Sequence, residues 1–148
     1  MSPIAIAAFG IALTVLFLKF VFTTSLQGIT RVREKTFQYP EDAQSFGGVV
    51  VDVEHERVTR AQRLLRNDSE GQPLFIGLAA AYVVLGAAPK LAPVYFGVYA
   101  LSRVAHAYFL LVPRQPHRTR AFGVGLAALL AIAGHVVVRA AELFHSAV

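Results

Sequence analysis

The sequence contains no cysteine. That excludes a disulfide framework, a protein thiolate nucleophile and any cysteine metal site. Charge is also scarce. Only 16% of residues are Asp, Glu, Lys or Arg, against about a quarter in an ordinary soluble domain. Acid is the rarer sign, nine residues against fourteen Lys and Arg, which leaves a net charge of +5. No internal repeat, low-complexity tract or soluble second domain interrupts the 148 residues, so a single domain over 1–148 is expected. No spacing of His and acidic residues forms a ligand set, and no metal is expected.

What is abundant is apolar sequence, at 55% hydrophobic residues and mean hydropathy +0.54. It comes in blocks. Residues 4–30 hold one charge, Lys19; 71–88 hold none; 91–112 hold only Arg103 and His106; 121–138 hold only His135. A helix rises about 1.5 Å per residue, so roughly 20 residues cross a hydrocarbon core about 30 Å thick. Four such blocks with short connections predict an all-α, integral membrane four-helix bundle. The first block is too long for a cleaved signal peptide and lacks a basic start and a small-residue cleavage site, so it reads as a span.

A basic chain invites nucleic acid as a partner, but the positive charge sits in loops beside the spans, where the positive-inside rule accounts for it. Seven of the fourteen Lys and Arg lie between Arg31 and Arg66, and Arg114, Arg118 and Arg120 lie between the third and fourth blocks. The turn "GAAPKLAP" holds only Lys90. This asymmetry puts the first and third connections in the cytoplasm and both termini outside, in the inner membrane if the source is bacterial. Within the first connection, "TFQYPEDAQSFGGVVVDVEHE" reads as a loop punctuated by Pro40 and Gly47-Gly48. Asp52 is the expected N-cap of the helix that continues into the second span, and Pro73 is a place where that helix could kink.

The stretch "RAQRLLRNDSEGQ" drives charge straight into an apolar helix. At 100° per residue, Glu70, Arg63, Asn67 and Arg60 fall within about 120° of Arg66, and Asp68 falls about 200° away. One reading is a solvated helix end with ordinary surface pairs. The other is a wet stripe facing a polar cavity, since ionisable groups at membrane depth avoid lipid. In the third block, "YALSRVAHAYF" sets Arg103 and His106 at i, i+3, where neither faces lipid cheaply. Lys19 either snorkels to an interface or pairs with an acid of the second span. Cations converging on one membrane face suit an anion with an oily partner.

These residues carry a resemblance. "RVREKTF", "PEDAQSFGG", "RAQRLLRNDSE" and "RVAHAY" stand in the order and spacing of the MAPEG family, membrane-associated proteins in eicosanoid and glutathione metabolism. The likeness runs almost end to end and is strongest to the family's prostaglandin E synthase branch. It implies a homotrimer of four-helix subunits that holds glutathione between neighbouring subunits near the cytoplasmic face. Arg31, Arg66, Asn67, Glu70 and His106 fall on family glutathione-contact positions; Arg103, from its pairing with His106 in an apolar helix, and Arg118 are further candidate contacts. Arg118 and Thr119 fall on a catalytic Arg-Ser pair if the preceding loop is one residue shorter, and Asp42 falls on an acid that partners it. The chain departs from the family pattern at Leu64, usually alanine, and at Gly71, often asparagine. The family tyrosine that follows the histidine does not align cleanly, and Tyr108 is the nearest candidate.

The resemblance and the residues together leave three expectations open. One is a glutathione transferase that conjugates a lipophilic electrophile, or reduces a lipid hydroperoxide as a peroxidase. Another is a glutathione-dependent isomerase of a prostaglandin-like endoperoxide. A third is a non-enzymatic lipid-binding or scaffold protein, which would have no need to retain Arg66, Asn67, Glu70 and Arg118.

Overall fold

The computed structural model describes residues 1–147; Val148, the last residue of the expected domain over 1–148, lies outside the described residues. Five helices dominate the described residues: α1 (Pro3–Glu34), α2 (Pro40–Phe46), α3 (Glu56–Leu85), α4 (Ala92–Leu111) and α5 (His117–Ala147). The expected loop between α1 and α3 is more ordered than a loop. It contains two short strands, β1 (Thr36–Phe37) and β2 (Val49–Val50), paired in parallel on either side of α2. Strands of two residues carry no periodicity to read in a sequence. Pro40 opens α2 at its first helical positions, with Glu41 and Asp42 in the first turn, where acids suit the helix dipole. At Gly48 a Cβ would lie 2.5 Å from the Lys35 carbonyl oxygen, so a glycine is needed for the chain to pass there.

Asp52 is not the N-cap of α3, because the helix starts at Glu56. The backbone stays irregular through 51–55 and in doing so carries Glu54 inward, where its carboxylate accepts from Arg31 Nε and Nη2 at 2.5 and 3.0 Å. Gln62 Nε2 donates to the same carboxylate at 2.7 Å.

α1, α4 and α5 are long and apolar enough to cross a membrane. α3, expected as the second of four spans, does not match them among the described residues. Its charge persists to Glu70, and the helix stops at Leu85 because Gly86 turns to φ 68, a conformation open to glycine without steric cost. The uncharged part of this helix is therefore shorter than the uncharged run in the sequence. Pro73 lies inside α3 without ending it.

The chain divides into two compact units, Met1–Phe17 with the chain from Glu70 onward, and Leu18–Ser69. The first has an aromatic core. Phe75 stacks on Tyr99 at 4.1 Å between centroids, and Phe96 meets Phe75 and Tyr82 edge-on. α5 turns small residues inward, Ala121, Gly125 and Ala128, and so packs closely along α4. In the second unit, Val58, Ala61 and Leu64 are fully buried on α3. α1 contributes Lys19, Thr23, Gln27 and Thr30, all buried and spaced as one helix face. Thr23 and Thr30 satisfy their hydroxyls on the carbonyls four residues back. Lys19 does not snorkel: Nζ donates to Asp68 Oδ1 at 2.6 Å, with both side chains about 95% buried.

Candidate functional site

The first unit brings Arg103 and His106 to one face of α4 and sets the Arg118 backbone carbonyl against His106. Spacing i, i+3 on α4 puts Arg103 and His106 on one inward face, 5% and 8% exposed. The Arg103 guanidinium lies between the rings of Tyr99 and Phe122, 5.2 and 5.1 Å from their centroids. Nη2 donates to the Phe122 carbonyl at 3.3 Å, and Nε is buried with no partner among the described residues. A buried donor left unmet carries a desolvation penalty of about 1–3 kcal/mol, more for a charged group, so this cation is poised to take an acceptor.

The close approach has a cause in α5. A Cβ at Gly125 would sit 2.4 Å from Ser102 Oγ and 2.5 Å from Arg103 Nη2. Only a residue without a side chain leaves the guanidinium room to lie across α5. On the α3 side, Tyr99 donates its hydroxyl to the Gly71 carbonyl at 3.1 Å. A Cβ at Gly71 would meet only Tyr99 Oη and Arg103 Nη1, at 3.8 and 3.9 Å. Gln72, next along, has a buried Nε2 with no partner among the described residues.

One turn beyond Arg103, His106 Nδ1 donates to the backbone carbonyl of Arg118 at 3.3 Å, which places the imidazole proton on Nδ1. Its ring packs against Phe122. Arg118 is half-exposed in the first turn of α5. Turned to satisfy both of its ends, the Gln115 carboxamide accepts from Arg118 Nε and Nη2 at 3.1 and 2.7 Å and donates to Thr119 Oγ1 at 3.1 Å. Gln115 thus ties the guanidinium and the hydroxyl into one polar group. Tyr108 is 52% exposed and meets Phe109 edge-on, and Phe109 in turn packs on His117. Tyr108 does not join the Arg103 cluster.

Arg31, Asp42, Arg66 and Asn67 belong to the Leu18–Ser69 unit. Arg31 is engaged by Glu54 and Asp42 is half-buried in α2. On α3, Arg63, Arg66 and Glu70 are exposed, and Asn67 is half-buried with Oδ1 lacking a partner among the described residues. Arg60 turns back to Glu56, and that hydrogen bond holds the Glu56 carboxyl below its ordinary range. Sequence reasoning missed Glu54, Gln115 and Gly125. Glu54 was one acid among several in a connection read as loop, and Gly125 carried no signal among the small residues of "GVGLAALL".

In the first unit, Arg103 Nε and Gln72 Nε2 are buried donors without partners among the described residues, and unmet donors fit a bound anion.

A family model described as "MAPEG family" matches residues 9–138. The chain is 33% identical over 139 residues to the prostaglandin E synthase of Equus caballus, covering 93% of this chain and 91% of that protein. It is 37% identical over 106 residues to the prostaglandin E synthase of Homo sapiens, covering 72% and 70%. It is 32% identical over 134 residues to microsomal glutathione S-transferase 1 of Mus musculus, covering 85% and 84%.

Proposed function

This chain belongs to the MAPEG family and is an integral membrane protein; from that premise we propose that it is a glutathione-dependent transferase, conjugating lipophilic electrophiles or reducing lipid hydroperoxides. The observation that carries the reading is Arg103, a buried cation with an unmet Nε, held beside His106 and the Arg118–Gln115–Thr119 group. Three relatives named above are glutathione transferases or prostaglandin E synthases by name. The assembly proposed is a homotrimer of four-span subunits, with α3 as the fourth span and glutathione sites facing the cytoplasm.

When bound, glutathione supplies a sulfur nucleophile. The chain's own residues do the rest. Arg66 and Arg103 offer planar pairs of donors that match a carboxylate. Glu70 offers a counter-charge to an ammonium and Asn67 Oδ1 accepts; Arg31, assigned to glutathione by the family pattern, is held by Glu54. Arg118, held at two nitrogens by Gln115, places a fixed positive charge that lowers the pKa of a neighbouring thiol by favouring its charged form. Thr119 adds a hydroxyl, and the family pattern assigns Asp42 to the same catalytic group and Tyr108 to glutathione. His106 is committed at Nδ1 to the Arg118 carbonyl and fixes the first turn of α5. A lipophilic co-substrate would reach the site from the bilayer, along α1, α4 and α5, the helices apolar enough to span it.

A second reading, a prostaglandin-endoperoxide isomerase, is favoured by the match to the Equus caballus enzyme over 93% of this chain. The deciding experiment is glutathione-dependent turnover by purified protein in detergent with an aryl halide, a lipid hydroperoxide and a prostaglandin endoperoxide as alternative substrates. Turnover of the endoperoxide alone selects the second reading. No glutathione-dependent turnover and no glutathione binding would sink both.

A further inference from the structure

The Leu18–Ser69 unit contains a feature that the proposed chemistry does not use. Lys19 and Asp68 form an ion pair at 2.6 Å, with 4% and 5% of their side chains exposed. Lys19 lies near the middle of α1, the most apolar candidate span. A buried pair of this kind is a poor source of stability, because desolvation of both charges offsets their attraction, and a well-packed apolar pair often serves the fold as well. What it does supply is direction. Breaking one partner leaves an uncompensated charge in the apolar layer, so α3 has only one rotation about its axis that keeps both charges satisfied.

Asp68 lies about 200° round α3 from Arg66 and about 100° from Asn67. Fixing Asp68 on Lys19 therefore fixes which way Arg66 and Asn67 turn. Val58, Ala61 and Leu64 are fully buried on the same face and carry no charge, so the ion pair is the directional contact of that face. Asp68 Oδ2 has no partner among the described residues, so Oδ1 to Lys19 Nζ is the bond that holds the carboxylate.

We propose that Lys19 and Asp68 are positioning residues, a rotational lock on α3 that aims Arg66 and Asn67 at glutathione. This rests on the glutathione reading of those two residues. It acts through α3 and touches no substrate.

Two double variants separate aim from stability. Lys19→Met with Asp68→Leu removes both charges, and Lys19→Asp with Asp68→Lys exchanges them. The apolar pair is expected to melt at or above the wild-type temperature. Its KM for glutathione should nevertheless rise roughly tenfold, with kcat at saturating glutathione changed by less than about twofold. The exchanged pair should restore the wild-type KM. A merely structural role predicts instead that the apolar pair keeps the wild-type KM, and that result would overturn the proposal. The absence of cysteine provides a readout independent of turnover. Single cysteines at Arg63, exposed, and Leu65, half-buried, report the rotation of α3 through their rates with a water-soluble thiol reagent. Position 63 should react faster in the wild type and the exchanged pair, and the two rates should converge in the apolar pair. Unchanged rates in the apolar pair, or converged rates in the exchanged pair, refute the lock. If the wild type shows no glutathione turnover, the functional reading fails while the labelling still decides the lock.

Discussion

Replacing Gly125 with alanine tests whether the inward placement of Arg103 is the centre of the site. On helix propensity alone, Gly→Ala inside α5 should stabilise by up to about 1 kcal/mol. Against that, the new Cβ would stand 2.4 Å from Ser102 Oγ and 2.5 Å from Arg103 Nη2, inside any allowed contact. Overpacking of this sort costs about 1–3 kcal/mol. The hydrogen bond from Arg103 to the Phe122 carbonyl, already long at 3.3 Å, is worth about 1 kcal/mol more if lost. Gly134 is the matched control, since it lies on the same helix and a Cβ there meets nothing within 4 Å. Gly134→Ala should therefore gain up to about 1 kcal/mol, whereas Gly125→Ala should fall about 1–4 kcal/mol below it, the upper end if the hydrogen bond is lost. Thermal unfolding in detergent measures the difference. Titration calorimetry should show roughly tenfold weaker glutathione binding for Gly125→Ala only, about 1.4 kcal/mol. If the two alanines stabilise in step and both keep wild-type affinity, the guanidinium does not depend on that gap, and the site is wrongly centred.

Glu54→Gln should destabilise by about 1–3 kcal/mol by unmaking the charge-assisted bonds from Arg31, measured by thermal melting; an unchanged melt would show that Arg31 has another partner. Cysteines placed at Gln44 and Gln115 should be shielded from an impermeant reagent added outside intact cells and one at Lys90 labelled, as the arginine asymmetry predicts; labelling at 44 would reverse the topology. Native mass spectrometry in mild detergent should show three chains, and a clean monomer that binds glutathione would refute a site shared between subunits. Arg66→Ala should weaken glutathione binding in titration calorimetry, and unchanged affinity would remove Arg66 from the site. Arg118→Ala should chiefly lower kcat and the ultraviolet signal of bound thiolate, and an Arg118→Ala protein that keeps both would move thiol activation to Arg103 or Arg31.

The helices were legible because membrane spans write themselves as long apolar runs with few charges, and α1, α4 and α5 coincide with three such runs. α3 was legible as a helix but not in its ends. The apolar run passes through Gly86 into the next turn, and only backbone geometry stops it at Leu85. At the other end a capping signal at Asp52 lost to a tertiary demand, the burial of Glu54 against Arg31. Arg103 and His106 stood out in the sequence because charge in an apolar helix is conspicuous. Gly125 did not, because a glycine that makes room for an arginine looks like any other small residue in a helix interface. Lys19 and Asp68 lie 49 positions apart, and nothing in periodicity links two such residues. The angular argument did place Asp68 off the charged stripe, and the structure shows what lies on that other side.

Two cations are buried in helices apolar enough to span a membrane, and the protein treats them differently. Lys19 has a carboxylate at 2.6 Å and needs nothing further. Arg103 has two ring faces and one long bond to a carbonyl. Each ring face contributes about 0.5–2 kcal/mol, depending on desolvation, and the carbonyl about 1 kcal/mol. Holding an arginine at the centre of a membrane helix costs about 2.5–3.5 kcal/mol on insertion scales. The two sides nearly balance, so the fold tolerates Arg103 but does not neutralise it. A carboxylate arriving from water would find a dehydrated guanidinium with an unmet Nε, where each charge-assisted bond is worth about twice a neutral one. On the proposed function, a lipophilic co-substrate would approach the same helix from the bilayer. The proposed function thus asks the anion to give up its water at Arg103, and the unmet guanidinium is what would offset that loss.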